Sequence, residues 1–169
     1  MITVREAQEA DYSAVYEIHE AAFGQPAEAR LVEALRTDAS PQISLVAERE
    51  ERLVGHVFLS PVTVEGNPPK AGCAGLAPLG VLPESQRSGV GSALVRDALA
   101  RCPAAGWSIV FLLGDPAYYA RFGFVLAAPR GFRYESERFD AAFQVLALEA
   151  RALDGASGWV RYHDAFSAL

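Results

Sequence analysis

The chain predicts an α/β fold, a mixed sheet with helices packed on it, in the α+β range. Two apolar runs, 72–82 and 107–113, are short and nearly unbroken, as strands buried on both faces read. Between them lies a stretch with a helical repeat, opened by Gly89 and Gly91. The 169 residues, 51% apolar and 21% charged, suffice for a packed core and fit one domain spanning residues 1–169.

In chain order, Ile2, Thr3, Val4 and Arg5 alternate and are β-branched, predicting a first strand. Asp11 is a suitable N-cap for a helix over 12–23, with Val15, Ile18 and Ala22 on its apolar face and Gly24 as its stop. Pro26 fits the first turn of a second helix ending near Arg36, with Leu31, Val32 and Leu35 inward. Residues 43–48 and 52–63 predict two strands joined at Glu50 and Glu51, and 64–71, rich in Gly, Asn and Pro, predicts a turn. The central strand is 72–82. Its helix carries Val90, Leu94, Ala98 and Val95, Leu99 in neighbouring rows, and leads to a strand over 107–113 that should run parallel to the central one. A short helix over 116–122, a strand starting at Phe124 and Val125, and a strand over 143–148 complete the order β-α-α-β-β-β-α-β-α-β-β.

The loop before the central helix reads Gln86, Arg87, Ser88, Gly89, Val90, Gly91, Ser92. A helix begins with backbone N–H groups that lack intrahelical partners, and its dipole adds positive charge there. Small residues let an anion come close to those amides, and Arg87 adds a fixed cation. The loop therefore suits a phosphate or diphosphate. It is not a Walker A loop, because no Gly-Lys-Ser/Thr follows, and the third glycine of the dinucleotide fingerprint is replaced by Leu94.

Fifteen Lys and Arg against twenty-one Asp and Glu leave a net charge of −6, with no long basic run, which argues against nucleic acid or an anionic membrane as the main partner. Arg121, Arg130 and Arg133 form a local basic group that could attract cofactor phosphates. The first twelve residues do not resemble a signal peptide, and no apolar run approaches the roughly 20 residues of a membrane helix. Cys73 and Cys102 have no metal-ligand spacing and read as buried free thiols, so the expected location is cytoplasmic and no metal is expected.

The string Gln86 to Gly91 matches the Q/R-x-x-G-x-G/A pattern of the GNAT N-acetyltransferase superfamily, and Leu79, Gly80, Val81, Leu82 and Pro83 resemble that family's preceding strand. A second segment, residues 114–124, is similar to the family's short helix with a tyrosine before a Gly-Phe pair; here these are Tyr119, Gly123 and Phe124. That segment and residues 160–166 resemble a YhbS-like bacterial subgroup of predicted N-acetyltransferases.

The resemblance implies a GNAT acyltransferase fold with a splayed central strand, acetyl-CoA as co-substrate and a primary amine as acceptor. It implies diphosphate binding by Gln86, Arg87, Ser88, Gly89, Val90, Gly91 and Ser92, and pantetheine pairing along Leu79, Gly80 and Val81, where Pro78 breaks the ladder. Gly114 and Asp115 stand where relatives place a cofactor-contacting asparagine, which puts Asp115 at that contact. Tyr119 takes the role of assisting thiolate departure, since a phenol, with a reference pKa of about 10, can donate to developing charge.

The central strand has no acid to serve as base. His56 qualifies by chemistry, although a histidine in an apolar strand reads as a satisfied core residue, and His19 and His163 read as surface or structural. Neither cysteine sits in a nucleophile setting, so transfer is expected to be direct. Phe23 and the loop after it are placed by analogy at the acceptor cleft. Two other classes stay open at this point: an acyl-CoA-binding sensor that has lost turnover, and a module for another nucleotide. A monomer and a homodimer are both compatible with the sequence.

Overall fold

The computed structural model describes residues 1–169, which divide into two compact units. The first comprises Met1–Ser60, Ala77–Ala105 and Asp164–Leu169; the second comprises Pro61–Leu76 and Gly106–His163.

The first unit contains β1 (Ile2–Glu6), α1 (Tyr12–Phe23), α2 (Ala27–Asp38), β2 (Ile43–Arg49), the start of β3 (Arg52–Asn67), the end of β4 (Gly72–Val81) and α3 (Val90–Arg101). β1 pairs antiparallel with β2 from Ile2 opposite Arg49 to Glu6 opposite Leu45, and β2 pairs antiparallel with β3 from Ile43 opposite Leu59. Glu50 and Glu51, with φ of 52° and 62°, make the tight hairpin turn, as the sequence predicts. Val15, Leu31, Val32 and Leu35 of the first two helices form a core with Val46 and Phe58 of the strands.

α1 ends where Gly24 turns left-handed at φ 70° and its N–H reaches the Glu20 carbonyl. Its start differs from the expectation. Asp11 makes no side-chain cap to α1; its carboxylate takes both Arg5 Nη atoms, at 2.7 and 2.9 Å, and the Gln8 N–H at 2.8 Å. A charge-assisted bidentate pair outcompetes a neutral cap. The Arg5 guanidinium thereby holds the Asp11 carboxyl below the usual carboxylate range.

The second unit holds the end of β3, the start of β4, β5 (Trp107–Leu113), α4 (Pro116–Tyr119), β6 (Val125–Leu126), β7 (Phe132–Arg133), β8 (Phe143–Ala147) and β9 (Ser157–Arg161). β4 pairs with β5 in parallel, as predicted, from Gly72 opposite Trp107 to Gly75 opposite Phe111. β5 and β8 are antiparallel, as are β8 and β6. Phe111, Phe132, Phe143, Ile109 and Val145 form the core with Val62, Val64 and Val160.

Two strands were not foreseen, and β3 runs on to Asn67 where a turn was expected from residue 64. The extension of β3 pairs antiparallel with β9, and β9 pairs in parallel with β7. The ladder uses glycines that read locally as turn residues: Gly66 faces Gly158, and both have positive φ, 130° and 140°. A Cβ at Gly158 would lie 2.1 Å from the Glu65 carbonyl oxygen, so only glycine permits this approach.

Gly158→Ala should therefore lower stability by about 1–3 kcal/mol, from overpacking added to an unfavourable φ, as read by urea unfolding. An unchanged midpoint would show that β9 is not closely paired with β3.

Candidate active site

In the first unit the predicted phosphate loop connects β4 to α3. Gln86, Arg87, Ser88 and Gly89 are exposed, Val90 is buried, and Gly91 and Ser92 are half-buried in the first turn. Gly89 stands at the N-cap of α3 with φ 93°, and no side chain caps the helix. A Cβ at Gly89 would meet only the Ile2 side chain, at 3.8 Å, so the approach to the helix end is open. Arg87 is also left-handed, at φ 58°.

The loop is braced from within the unit. Gln86 Nε2 donates to the Val81 carbonyl at 3.1 Å, which spends that side chain on β4. Ser88 Oγ donates to the Ser85 carbonyl. Arg49 Nη1 donates to Ser88 Oγ at 3.1 Å and Nη2 to the Ser88 carbonyl at 3.2 Å. These bonds fix the path of the loop while the backbone N–H groups opening α3 carry no side-chain cap.

Gly55 of β3 sets how closely α3 sits. A Cβ there would be 2.8 Å from Val90 Cγ1, 3.0 Å from Leu94 Cδ1 and 3.3 Å from the Gly80 carbonyl oxygen. The missing side chain admits the first turn of α3 against β3 and β4. Sequence reading did not single out Gly55; its one signal is a glycine inside a strand, which marks a close approach.

Leu79, Gly80 and Val81 end β4, beyond the stretch from Gly72 to Gly75 that pairs with β5 and beyond Pro78, which has no N–H to give. Gly80 faces His19 of α1: a Cβ on Gly80 would be 2.6 Å from His19 Nδ1. His19 is fully buried, so the surface reading fails. Its place in the stripe Val15, Ile18, His19, Ala22 was a signal for the inward face. His19 Nε2 lies 2.8 Å from His56 Nδ1, and His56 Nε2 lies 2.8 Å from Ser44 Oγ. His56 is thus a buried, hydrogen-bonded residue, as its setting suggested. Burial pushes the His19 imidazole down to about 4 and that of His56 well below its ordinary range, so both rings are neutral at neutral pH.

In the second unit, Asp115 Oδ1 accepts from the Ala117 N–H at 2.9 Å and caps α4, with Pro116 at its first position. One oxygen of Asp115 is therefore spent on the turn. Tyr119 ends the helix, its ring lying against Gly114, where a Cβ would be 2.4 Å from Cε2. Tyr118, Phe122 and Phe124 surround that ring at centroid distances of 4.9, 6.1 and 5.9 Å. Burial pushes the Tyr119 phenol up to about 12. Gln144, fully buried, donates from Nε2 to the Gly114 carbonyl at 3.0 Å and the Ala142 carbonyl at 3.2 Å, holding the β5–α4 turn. It was not foreseen; the lone amide in an apolar strand was the available sign.

The basic group is mostly engaged elsewhere. Arg121 donates to the Tyr118 carbonyl and stacks over the Tyr118 ring, and Arg133 pairs with Asp140 at 3.3 Å. Cys73 and Cys102 are buried free thiols pushed up to about 11 and about 12, which makes them poor nucleophiles. Phe23, 41% exposed, stacks on His19 at 6.0 Å.

The family model described as Acetyltransferase (GNAT) domain matches residues 3–127. The chain is 40% identical over 146 residues to the "Uncharacterized N-acetyltransferase YhbS" of Escherichia coli (strain K12), covering 86% of each chain. The crystal structure of E. coli YhbS in complex with CoA superposes with a TM-score of 0.89 at 36% identity, covering 98% of this chain and 92% of that one. A GNAT family acetyltransferase from Brucella melitensis in complex with acetyl-CoA gives a TM-score of 0.78 at 35% identity, covering 98% of both chains. An uncapped helix end behind a left-handed glycine, a strand carrying Pro78 that leads into the loop, a half-buried tyrosine after β5 and these similarities agree: the chain belongs to the GNAT N-acetyltransferase family.

Proposed function

We propose that residues 1–169 act as one domain that moves the acetyl group of acetyl-CoA directly to a primary amine, in the cytoplasm. The observation that carries this reading is the N-terminus of α3, opened by Gly89 without a side-chain cap and braced by Arg49, in a chain whose relatives at 36% and 35% identity were solved with CoA and acetyl-CoA. That donor set fits a diphosphate: the backbone N–H groups of Ser88, Gly89, Val90, Gly91 and Ser92 receive it, and the exposed Arg87 adds charge. Gln86 serves by holding the loop to Val81. The backbone of Leu79, Gly80 and Val81 pairs with the pantetheine and polarises the thioester carbonyl. Asp115 shapes the cofactor turn through its cap.

Acetyl-CoA supplies an activated acyl carbon. Tyr119 supports the departing sulfur. With its phenol at about 12 it stays protonated throughout the working range, and donating a hydrogen bond to a thiolate, whose reference value is about 8.5, suits it better than full proton transfer. Attack is direct, since neither cysteine is disposed to form a thiolate. The sensor reading is less favoured, because the tyrosine is kept and the relatives in view are N-acetyltransferases. The free thiols of Cys73 and Cys102 support a reducing compartment.

Incubating the chain with acetyl-CoA and a panel of small amines, aminoglycosides and peptides with free N-termini or lysines, while following free thiol, should show turnover with at least one. Coenzyme A binding without thiol release across the panel would leave the sensor. Tyr119→Phe should lower kcat by about 10–100-fold with coenzyme A affinity unchanged, and wild-type kcat should show no falling limb from this phenol below about pH 10. Gly55→Val, which forces a side chain against Val90 and Leu94, should weaken coenzyme A binding by about tenfold in calorimetry.

A further inference from the structure

We propose that His19, His56 and Ser44 form a buried relay that takes up the proton released when the acceptor amine attacks. The inference rests on the transferase reading above and names the proton acceptor that β4, having no acid, does not supply.

Three observations carry it. The three side chains form one hydrogen-bonded line, with both contacts at 2.8 Å. The line starts at His19 Nδ1, a buried atom without a hydrogen-bond partner, lying against the α-carbon of Gly80. It ends at Ser44, which is only half-buried. A fully buried polar atom with no partner is rare and calls for an explanation.

The protonation pattern follows from satisfiability. If Ser44 donates to His56 and His56 Nδ1–H donates to His19, then His19 carries an N–H at Nδ1 with nothing to accept it. If instead His19 Nε2–H donates to His56 Nδ1 and His56 Nε2–H donates to Ser44 Oγ, only a lone pair is left over. An orphaned buried donor is the rarer and costlier outcome, so the second pattern holds. His19 Nδ1 is then a proton acceptor facing the backbone assigned to the thioester.

Both rings are kept neutral by burial, with Arg36 of α2 adding to the effect on each and Asp11 opposing it at His56. The relay therefore works by exchanging tautomers, never storing an imidazolium. The amine nitrogen bonds to the acyl carbon, and its surplus proton passes, directly or through one water, to His19 Nδ1. The Nε2 proton of His19 moves to His56 Nδ1, the Nε2 proton of His56 moves to Ser44 Oγ, and the hydroxyl proton of Ser44 goes to water. The C–S bond breaks, and the sulfur leaves with the electron pair and is protonated from water. After the amide departs, the reverse hops restore the starting tautomers, with water taking the proton at Nδ1 and returning one to Ser44.

Nitrogen NMR of the chain labelled at its three histidines tests the starting state. A bare Nδ1 and a protonated Nε2 on His19 are expected; a protonated Nδ1 overturns the relay. Single turnovers with the amine of the panel that releases thiol fastest test its use. His19→Gln should slow acetyl transfer by about a hundredfold with KM for acetyl-CoA little changed. The wild-type rate should curve with the deuterium content of the solvent, as several moving protons require, and Ser44→Ala, at a half-buried site that a smaller side chain fits, should straighten that curve. A His19→Gln rate equal to wild type, or a straight wild-type plot, overturns the relay and leaves the transferase reading standing. A folded wild type that releases no thiol with any amine overturns both.

Discussion

Apolar packing, and not a side-chain cap, fixes the first turn of α3. Val90 and Leu94 seat that turn in the space left by Gly55, and Gly89 turns the chain into the helix without offering a side-chain oxygen. A serine or aspartate cap would stabilise the helix by about 0.5–2 kcal/mol and would occupy the same N–H groups that an anion needs. The helix forgoes that term and is held by burial of Val90, Leu94, Val95 and Ala98. The polar bonds of the loop lie outside the cradle: Gln86 to Val81, Ser88 to Ser85 and Arg49 to Ser88.

A second economy concerns charge. Four acids of the first unit are spent on structure: Asp11 and Glu48 on Arg5, Glu6 and Asp97 on Arg101. None lies on β4. β4 instead has a neutral imidazole, that of His19, lying against Gly80, a residue whose lack of a side chain is what gives His19 its room. In the second unit the same device recurs, with Gly114 making room for the ring of Tyr119 and Gln144 tying down the Gly114 carbonyl.

Much of this was legible in the sequence because its signals are local. Gly24, Gly89, Pro116 and the apolar runs of β4 and β5 act within a few residues of themselves, so helix ends, the loop and the parallel pair were predicted close to their observed positions. What escaped depends on partners far along the chain. Asp11 reads as a cap until Arg5 and Gln8 are seen to claim its carboxylate. Residues 64–67 read as a turn because Gly66 meets Gly158, ninety-odd positions later, only once the chain is folded. His19 stands between glutamates and looks solvated, although its spacing from Val15 placed it inward, and its partner His56 is 37 residues away.

The uncharged histidine pair also has a bearing on where this protein is durable. An imidazole whose proton affinity is depressed by folding, His19 to about 4, gains its proton more readily when the chain is open. Above the ordinary imidazole range, near pH 6.5, the pair is silent. As acidity increases through the interval between that range and about 4, the open chain takes up protons that the closed one refuses, and the balance tilts toward unfolding. A chain with these rings in its interior is suited to near-neutral surroundings and carries an acid weakness within its own core.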